Sequence, residues 1–128
     1  MRTQRVLHGE GKVSLAYWER VSNSQANTSP YSAGIAWVAG QPAPLVEAKI
    51  PLIDQGFSHG DSTYDVISLW NGKIFRLDDH ISRLEESCSR IRLQLPLTKR
   101  DLIQTLDDMA RLSLLQGAHV QIVVTRGT

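Results

Sequence analysis

The sequence has one cysteine, Cys88, and no long run of apolar residues. A single cysteine cannot form a disulfide framework within one chain, and it is typical of proteins from a reducing compartment. The longest apolar runs have only a few residues, far fewer than the roughly 18 that cross a bilayer. The opening residues MRTQRVLHGEG lack the apolar segment of a signal peptide. We therefore expect a soluble domain in the cytoplasm.

Excess charge is also missing, since 14 Lys and Arg against 13 Asp and Glu give a net charge of +1. This balance provides no basic field for nucleic acid. No second His or Cys stands near His59 at the spacing of zinc ligands. Gly56 and Gly60 are not followed by the Gly-Lys-Ser/Thr of a phosphate-binding P-loop, and no nucleophile elbow is present. We expect no nucleic-acid partner, no membrane and no metal site.

The 128 residues fit one domain. Residues 1–33 are weakly patterned and are interpreted as a partly loop-like extension, in which a short helix from Val13 to Val21 is predicted. Residues 34–128 form the ordered domain. The order strand, hairpin, helix, helix, strand predicts an α+β fold with a mostly antiparallel sheet and two helices. The predicted strands are Gly34–Val38, Thr63–Trp70 and Ala118–Arg126. A hairpin turn at Asn71-Gly72 leads into a return strand, Lys73–Leu77. The first helix is predicted from Asp79 to Leu93 with Asp78 as its N-cap, and the second begins after the N-cap Thr98 and ends at Gly117.

Two strands carry polar side chains where packing does not require them. Alternation puts Tyr64, Val66 and Ser68 on one face of a strand, and Asp65 with Ile67 and Leu69 on the other. The last strand has an apolar face and an opposite, more polar face that carries His119, Gln121, Val123 and Thr125. That face is either solvated or the wall of a ligand pocket.

Arg83 and His59 each have an ordinary interpretation beside a functional one. Arg83 lies on the first helix, where it could pair with Asp79 one turn earlier. Its planar guanidinium, with five donors, equally suits a phosphate. His59 lies in a glycine-bounded loop, and a lone loop histidine is more often structural or exposed.

Taken together, these residues resemble fold-type IV pyridoxal-phosphate enzymes, the branched-chain and D-amino-acid aminotransferase superfamily. The resemblance runs from about Gly34 to Thr128 and is to the smaller N-terminal domain of that fold. It rests on a combination of elements: Pro44 with Ala48, Asp54-Gln55-Gly56, the hairpin at Asn71-Gly72, Phe75-Arg76-Leu77, His80-Ile81-Ser82-Arg83-Leu84 and Val123-Val124-Thr125-Arg126-Gly127. The segment from Gly56 to Val66 is most similar to (R)-selective amine transaminases.

The resemblance implies a role for each candidate residue. Arg83 would bind the 5′-phosphate of pyridoxal phosphate. The substrate pocket would be lined by His59, Tyr64, Val66, His119 and Gln121. At the last two positions (R)-selective amine transaminases more often have an aromatic residue and a glutamate, so the preferred amine or acid stays open.

The resemblance also implies that the Schiff-base lysine lies beyond Thr128, in a C-terminal domain that this chain lacks. We therefore interpret the chain as the N-terminal portion of a homodimeric transaminase of a primary amine or D-amino acid, with a keto acid as acceptor. An (R)-amine transaminase is the preferred prediction. The alternatives are a D-amino-acid transaminase, an enzyme like aminodeoxychorismate lyase, and a non-catalytic module that binds a phosphate ligand.

Overall fold

The computed structural model describes the backbone of three N-terminal strands, at residues 2–4, 7–9 and 12–20, and all of residues 30–128. In chain order the elements are β1 Arg2–Gln4, β2 Leu7–Gly9, β3 Lys12–Arg20, β4 Ile35–Val38, β5 Gln41–Pro44, α1 Gln55–His59, β6 Ser62–Trp70, β7 Lys73–Ile74, α2 Leu77–Arg90, α3 Lys99–Ser113 and β8 Gly117–Thr125. A short 3-10 helix, Leu45–Glu47, follows β5. Within the described residues, no helix is both long enough and apolar enough to span a membrane.

The main sheet is antiparallel, in the order β1-β3-β8-β6-β7, with β2 also paired to β3. β6 pairs with β8 along its whole length, from Ser62 opposite Thr125 to Trp70 opposite Gly117. β4 and β5 form a separate two-stranded sheet, which suits a segment with prolines at positions 42 and 44. The predicted α+β class with a mostly antiparallel sheet is confirmed.

The core lies between one face of the main sheet and the two long helices. β6 contributes Ile67 and Leu69, and β8 contributes alternate residues that are fully buried. The predicted stripe of α2 comprises Ile81, Leu84, Cys88 and Ile91, and the first three are buried. The prediction was wrong for Ile91, which is 38% exposed because α2 ends at Arg90 and not at Leu93. The buried side chains, with those of α3, form one cluster. At about 1.5–3 kcal/mol for each large buried apolar side chain, this cluster is the main source of stability.

The hairpin was predicted correctly, but the return strand and the start of α2 were not. Asn71 and Gly72 have φ of 49° and 72°, as a type I′ turn requires. The return strand ends at Ile74 and does not continue to Leu77. The reason is the backbone of Arg76, which takes a left-handed conformation with φ of 48° and is the N-cap of α2. Asp78 therefore lies in the first helical turn and is not the cap.

Three further predictions of local structure were wrong. Residues 12–20 form the strand β3 and not a helix, because they pair with the edge of β8 that is not paired with β6. α3 ends at Ser113 and is capped by Leu114 in the left-handed conformation, whereas Gly117 already belongs to β8. The segment from Asp54 to Asp61 contains a third helix, α1, which is capped by the buried side chain of Asp54.

Candidate functional site

Arg83 is held by a buried carboxylate on the neighbouring strand. Its Nε donates to Oδ2 of Asp65 at 2.6 Å, and its Nη2 donates to Oδ1 at 2.8 Å. The Asp65 side chain is 3% exposed and that of Arg83 is 61% exposed. The predicted pairing of Arg83 with Asp79 is wrong, since Asp79 pairs with Arg76 at 2.7 Å. The fork fixes the edge of the guanidinium formed by Nε and Nη2, while more than half of the Arg83 side chain stays exposed.

His80 is the second partner of the same carboxylate. Its Nδ1 lies 2.7 Å from Oδ1 of Asp65 and 3.1 Å from Nη2 of Arg83. A carboxylate oxygen only accepts hydrogen bonds, so the shorter contact places the hydrogen on Nδ1. The imidazole therefore buttresses Asp65 on one side while Arg83 holds it on the other.

These contacts determine the charge state of the pair. Burial acts to raise the pKa of Asp65, but hydrogen bonds from Arg83 and His80 outweigh it, so this pKa lies below its ordinary value. The hydrogen bond to Asp65 raises the pKa of Arg83. Both groups are therefore ionised at neutral pH.

A cavity of about 260 Å³ adjoins the guanidinium. It is lined by Phe75, Arg76, Asp79, His80 and Arg83. The two arginines supply several N–H donors, which suit the oxygens of a phosphate. A phosphate dianion fits this donor set, although each arginine is already paired with a carboxylate.

The predicted pocket residues of the two strands share the other face of the sheet. Tyr64 lies opposite Val123, and Val66 lies opposite Gln121. His119 lies opposite Ser68 in the same row. Tyr64 is 62% exposed and Val66 is 41% exposed. We call this surface the pocket face. Its uncovered apolar and aromatic side chains leave it open to a ligand.

Arg83 and the pocket face lie on opposite sides of β6, because Asp65 and Tyr64 are consecutive residues of one strand. The edge of β6 between them is open. β7 pairs only with Leu69 and Trp70, and among the described residues no other strand covers this edge. One ligand that crosses the edge at Tyr64 and Asp65 can therefore contact both Arg83 and the pocket face.

α1 closes the end of the pocket face where β6 begins. Asp54 is fully buried and accepts from the backbone N–H of Gly56 and Phe57 and from Oγ1 of Thr125, at 2.8, 3.2 and 2.8 Å. His59 ends this helix and is exposed, and its described hydrogen bond joins Nδ1 to Oγ of Ser58 at 2.7 Å. That bond does not connect His59 to the pocket face.

Sequence reasoning missed Asp65 as a functional residue. The signal was available, since the alternation of β6 puts a carboxylate on the same face as two core residues. A carboxylate at such a position needs partners, because an unpaired buried charge is very unfavourable. The motif that follows supplies them, as His80 and Arg83 lie one helical turn apart.

Comparison with known protein families agrees with this geometry. Residues 62–128, just over half of the chain, match the family model for amino-transferase class IV. The chain belongs to this family. The matched segment contains Asp65, Arg83 and both strands of the pocket face.

Relatives of known name are aminotransferases. The chain is 35% identical over 81 residues to the D-alanine aminotransferase of Listeria monocytogenes and 32% identical over 81 residues to that of Bacillus licheniformis. Each match covers 63% of this chain. It covers 28% of the Listeria protein and 29% of the Bacillus protein, so the chain spans less than a third of their length.

Solved structures confirm the fold. The branched-chain amino acid aminotransferase of Escherichia coli superposes with a TM-score of 0.63 at 21% identity, over 69% of this chain and 31% of that one. The branched-chain amino acid aminotransferase of T.th., solved with pyridoxamine 5′-phosphate, gives a TM-score of 0.57 at 19% identity, over 66% of this chain and 37% of that one. The predicted N-terminal domain of a fold-type IV aminotransferase is thereby confirmed.

Proposed function

We propose that the protein is the N-terminal part of a pyridoxal 5′-phosphate-dependent transaminase, in which Arg83 binds the cofactor phosphate. The observation that carries the proposal is the fork between Arg83 and the buried Asp65, which fixes a permanent cation beside the open edge of β6. A structural neighbour solved with pyridoxamine 5′-phosphate supports the same cofactor.

The residues of this chain would bind and orient the cofactor. Arg83 would donate hydrogen bonds from Nη1 to phosphate oxygens, while Asp65 and His80 keep the guanidinium from rotating. The cofactor supplies an electron sink for chemistry at the carbon that bears the amine. From the resemblance to fold-type IV enzymes, the lysine that binds the cofactor covalently is expected beyond Thr128.

The pocket face would hold the substrate, with Tyr64 beside the cofactor ring and His59 at the end of the face. Among the described residues of β6 and β8, this face carries no lysine or arginine. A substrate carboxylate would find no permanent cation there, and Gln121 offers an amide in place of a charge. This favours a primary amine over an amino acid, and the resemblance of residues 56–66 to (R)-selective amine transaminases is the basis for proposing the (R)-amine transaminase.

A D-amino-acid transaminase is the second candidate, because several relatives are D-alanine aminotransferases. In that case a cation for the substrate carboxylate must come from outside the described surface. A lyase like aminodeoxychorismate lyase and a non-catalytic phosphate-binding module are further alternatives. The resemblance also supports a homodimer, and the single cysteine fits a cytoplasmic protein.

Replacement of Arg83 tests the phosphate role. In the complete protein, Arg83→Ala should lower cofactor occupancy after dialysis, measured by absorbance, by tenfold or more. Arg90→Ala is the matched control, since Arg90 lies on the same helix and pairs only with Glu86 on the surface. Equal occupancy in the two variants would exclude the role. Asp65→Asn/Arg83→Ala should show the same loss, which separates cofactor binding from the burial of an unpaired carboxylate.

Two amino donors distinguish the candidate reactions. The complete protein should transaminate (R)-1-phenylethylamine faster than D-alanine with a common keto acid. The reverse order would favour the D-amino-acid transaminase. Saturable cofactor binding without turnover of either donor would favour the non-catalytic module.

A further inference from the structure

A small cavity lies at the end of the pocket face, beneath α1. It has a volume of about 120 Å³, and its lining is mostly apolar. The residues that line it are Ile50, Asp54, Gly56, Phe57, Ser62, Val123 and Thr125. Val123 and Thr125 belong to the β8 row that contains Gln121, and Ser62 belongs to the β6 row that contains Tyr64. The cavity is therefore continuous with the pocket face at Tyr64 and Val123.

Two polar side chains of this cavity, those of Asp54 and Thr125, are already paired within the protein. Asp54 accepts from two backbone N–H groups and from Thr125. The hydroxyl of Thr125 in turn accepts from the N–H of Gly127 at 3.2 Å. What remains for a ligand is mainly carbon surface, from Ile50, Phe57 and Val123, beside the small side chain of Ser62. A charged or strongly polar group would lose its hydration there without gaining a partner.

The position of α1 sets the size of the cavity. Gly56 lies so close to β8 that an added Cβ would be 2.4 Å from Cγ2 of Thr125. The helix is therefore packed directly on the strand and cannot move closer. An engineered apolar cavity of about 150 Å³ binds benzene, so a volume of 120 Å³ suits a group of roughly three or four carbon atoms.

We propose that this cavity binds the apolar substituent on the amine-bearing carbon of the substrate, and that Val123 limits its length. The inference rests on the proposed transaminase function and specifies its substrate class as amines with a short alkyl group. Tyr64 lies directly opposite Val123, so a substrate beside Tyr64 can extend this group beneath α1.

A series of 2-aminoalkanes tests the inference with the complete protein. From 2-aminopropane to (R)-2-aminobutane and (R)-2-aminopentane, KM should fall by about fourfold for each added methylene, the gain for burying one CH₂. Val123→Phe fills the cavity and should remove this dependence of KM on chain length. Val123→Leu should shorten the preferred chain by about one carbon and preserves the fold if the larger substitution does not. Val46→Phe is the matched control, because Val46 is 72% exposed and lies outside the cavity.

A binding measurement gives a second readout that does not need turnover. Methyl NMR signals of Ile50 and Val123 should shift on titration with (R)-2-aminopentane, and those of Val46 should not. Transamination with no dependence on chain length, or an equal effect of Val123→Phe on every amine, would overturn the inference. If no amine reacts but the Ile50 and Val123 signals shift, the cavity inference stands and the proposed function fails.

Discussion

The buried carboxylate of Asp54 should be essential for stability, and Asp54→Ala should remove about 2–4 kcal/mol. The N-cap of α1 accounts for about 1 kcal/mol, because Asp54 accepts from the N–H groups of Gly56 and Phe57. The hydroxyl of Thr125 would also lose its acceptor in a buried position, which costs about 1–3 kcal/mol. Unfolding free energy typically falls by about 1–3 kcal/mol per molar urea, so the midpoint of unfolding should fall by roughly 0.7–4 M.

A double-mutant cycle identifies the hydrogen bond between the two side chains. Thr125→Val removes the hydroxyl with little change in shape. Once it is absent, Asp54→Ala leaves no orphaned donor at residue 125, so the double variant should be more stable than the sum of the single effects predicts. The difference should be about 1–2 kcal/mol, within the range found for residues in contact.

The surface variant Asp78→Ala serves as a control, since the Asp78 side chain is 80% exposed and its Oδ1 lies 3.5 Å from Nζ of Lys99. It should lower the free energy of unfolding by less than about 1 kcal/mol. A loss below about 1 kcal/mol for Asp54→Ala, or strict additivity in the cycle, would refute the account of α1 as a helix fixed to β8 by Asp54.

Three other predictions follow from the same contacts. Gly56→Ala should destabilise by about 1–3 kcal/mol through its clash with Thr125, and Thr125→Ser, which deletes the clashing methyl, should restore part of the loss in urea unfolding. The pKa of Asp65 is lower in the folded state than in the unfolded one, so ionised Asp65 stabilises the protein above about pH 4, and this contribution is lost as the pH falls further. The free energy of unfolding of Asp65→Asn should therefore fall less steeply in acid than that of the wild type. Burial, and to a smaller extent the charge of Glu85, raises the pKa of Cys88 to about 11. Iodoacetamide at pH 8 should therefore modify the folded protein roughly 200-fold more slowly than a free thiol. Equal rates would contradict the buried position of Cys88.

Elements with a strong local signal were predictable from the sequence. The Asn71-Gly72 turn requires positive φ at two positions, which few other dipeptides tolerate. The α2 stripe repeats at helical spacing, and Thr98 accepts from the N–H of Asp101 at 3.2 Å, as a capping residue should. In each case the residues that determine the structure are within one or two turns of each other.

Elements set by distant partners were not predictable in the same way. β3 is a strand because β8 offers it a free edge, and that edge lies about a hundred residues away in the chain. α1 depends on Asp54, whose third partner, Thr125, is 71 residues away. Thr125 was assigned to a polar strand face but is buried, because α1 covers that end of the strand.

In the candidate site, too, features with a local sequence signal were predictable and contacts between distant residues were not. The sequence indicated Arg83 and the pocket positions through a motif, and the structure brings Tyr64, Val66, Gln121 and His119 together on paired strands. The partner of Arg83 was predicted incorrectly because helical spacing points to Asp79. Asp65, on the adjacent strand, binds Arg83 in place of Asp79, because both oxygens of Asp65 accept from the guanidinium and the pair is partly buried, where charge-assisted hydrogen bonds are stronger.

The shortness of β7 explains how the two halves of the site can serve one ligand. A return strand as long as predicted, from Lys73 to Leu77, would in the same register extend the pairing along β6 as far as Val66, next to Asp65. The left-handed turn at Arg76 ends the strand after two residues and starts α2 early. The same turn therefore keeps β7 away from the outer edge of β6 at Tyr64 and Asp65 and brings His80 and Arg83 to Asp65. A cation on one side of the sheet and a substrate surface on the other then meet across an edge of β6 that no described strand pairs with.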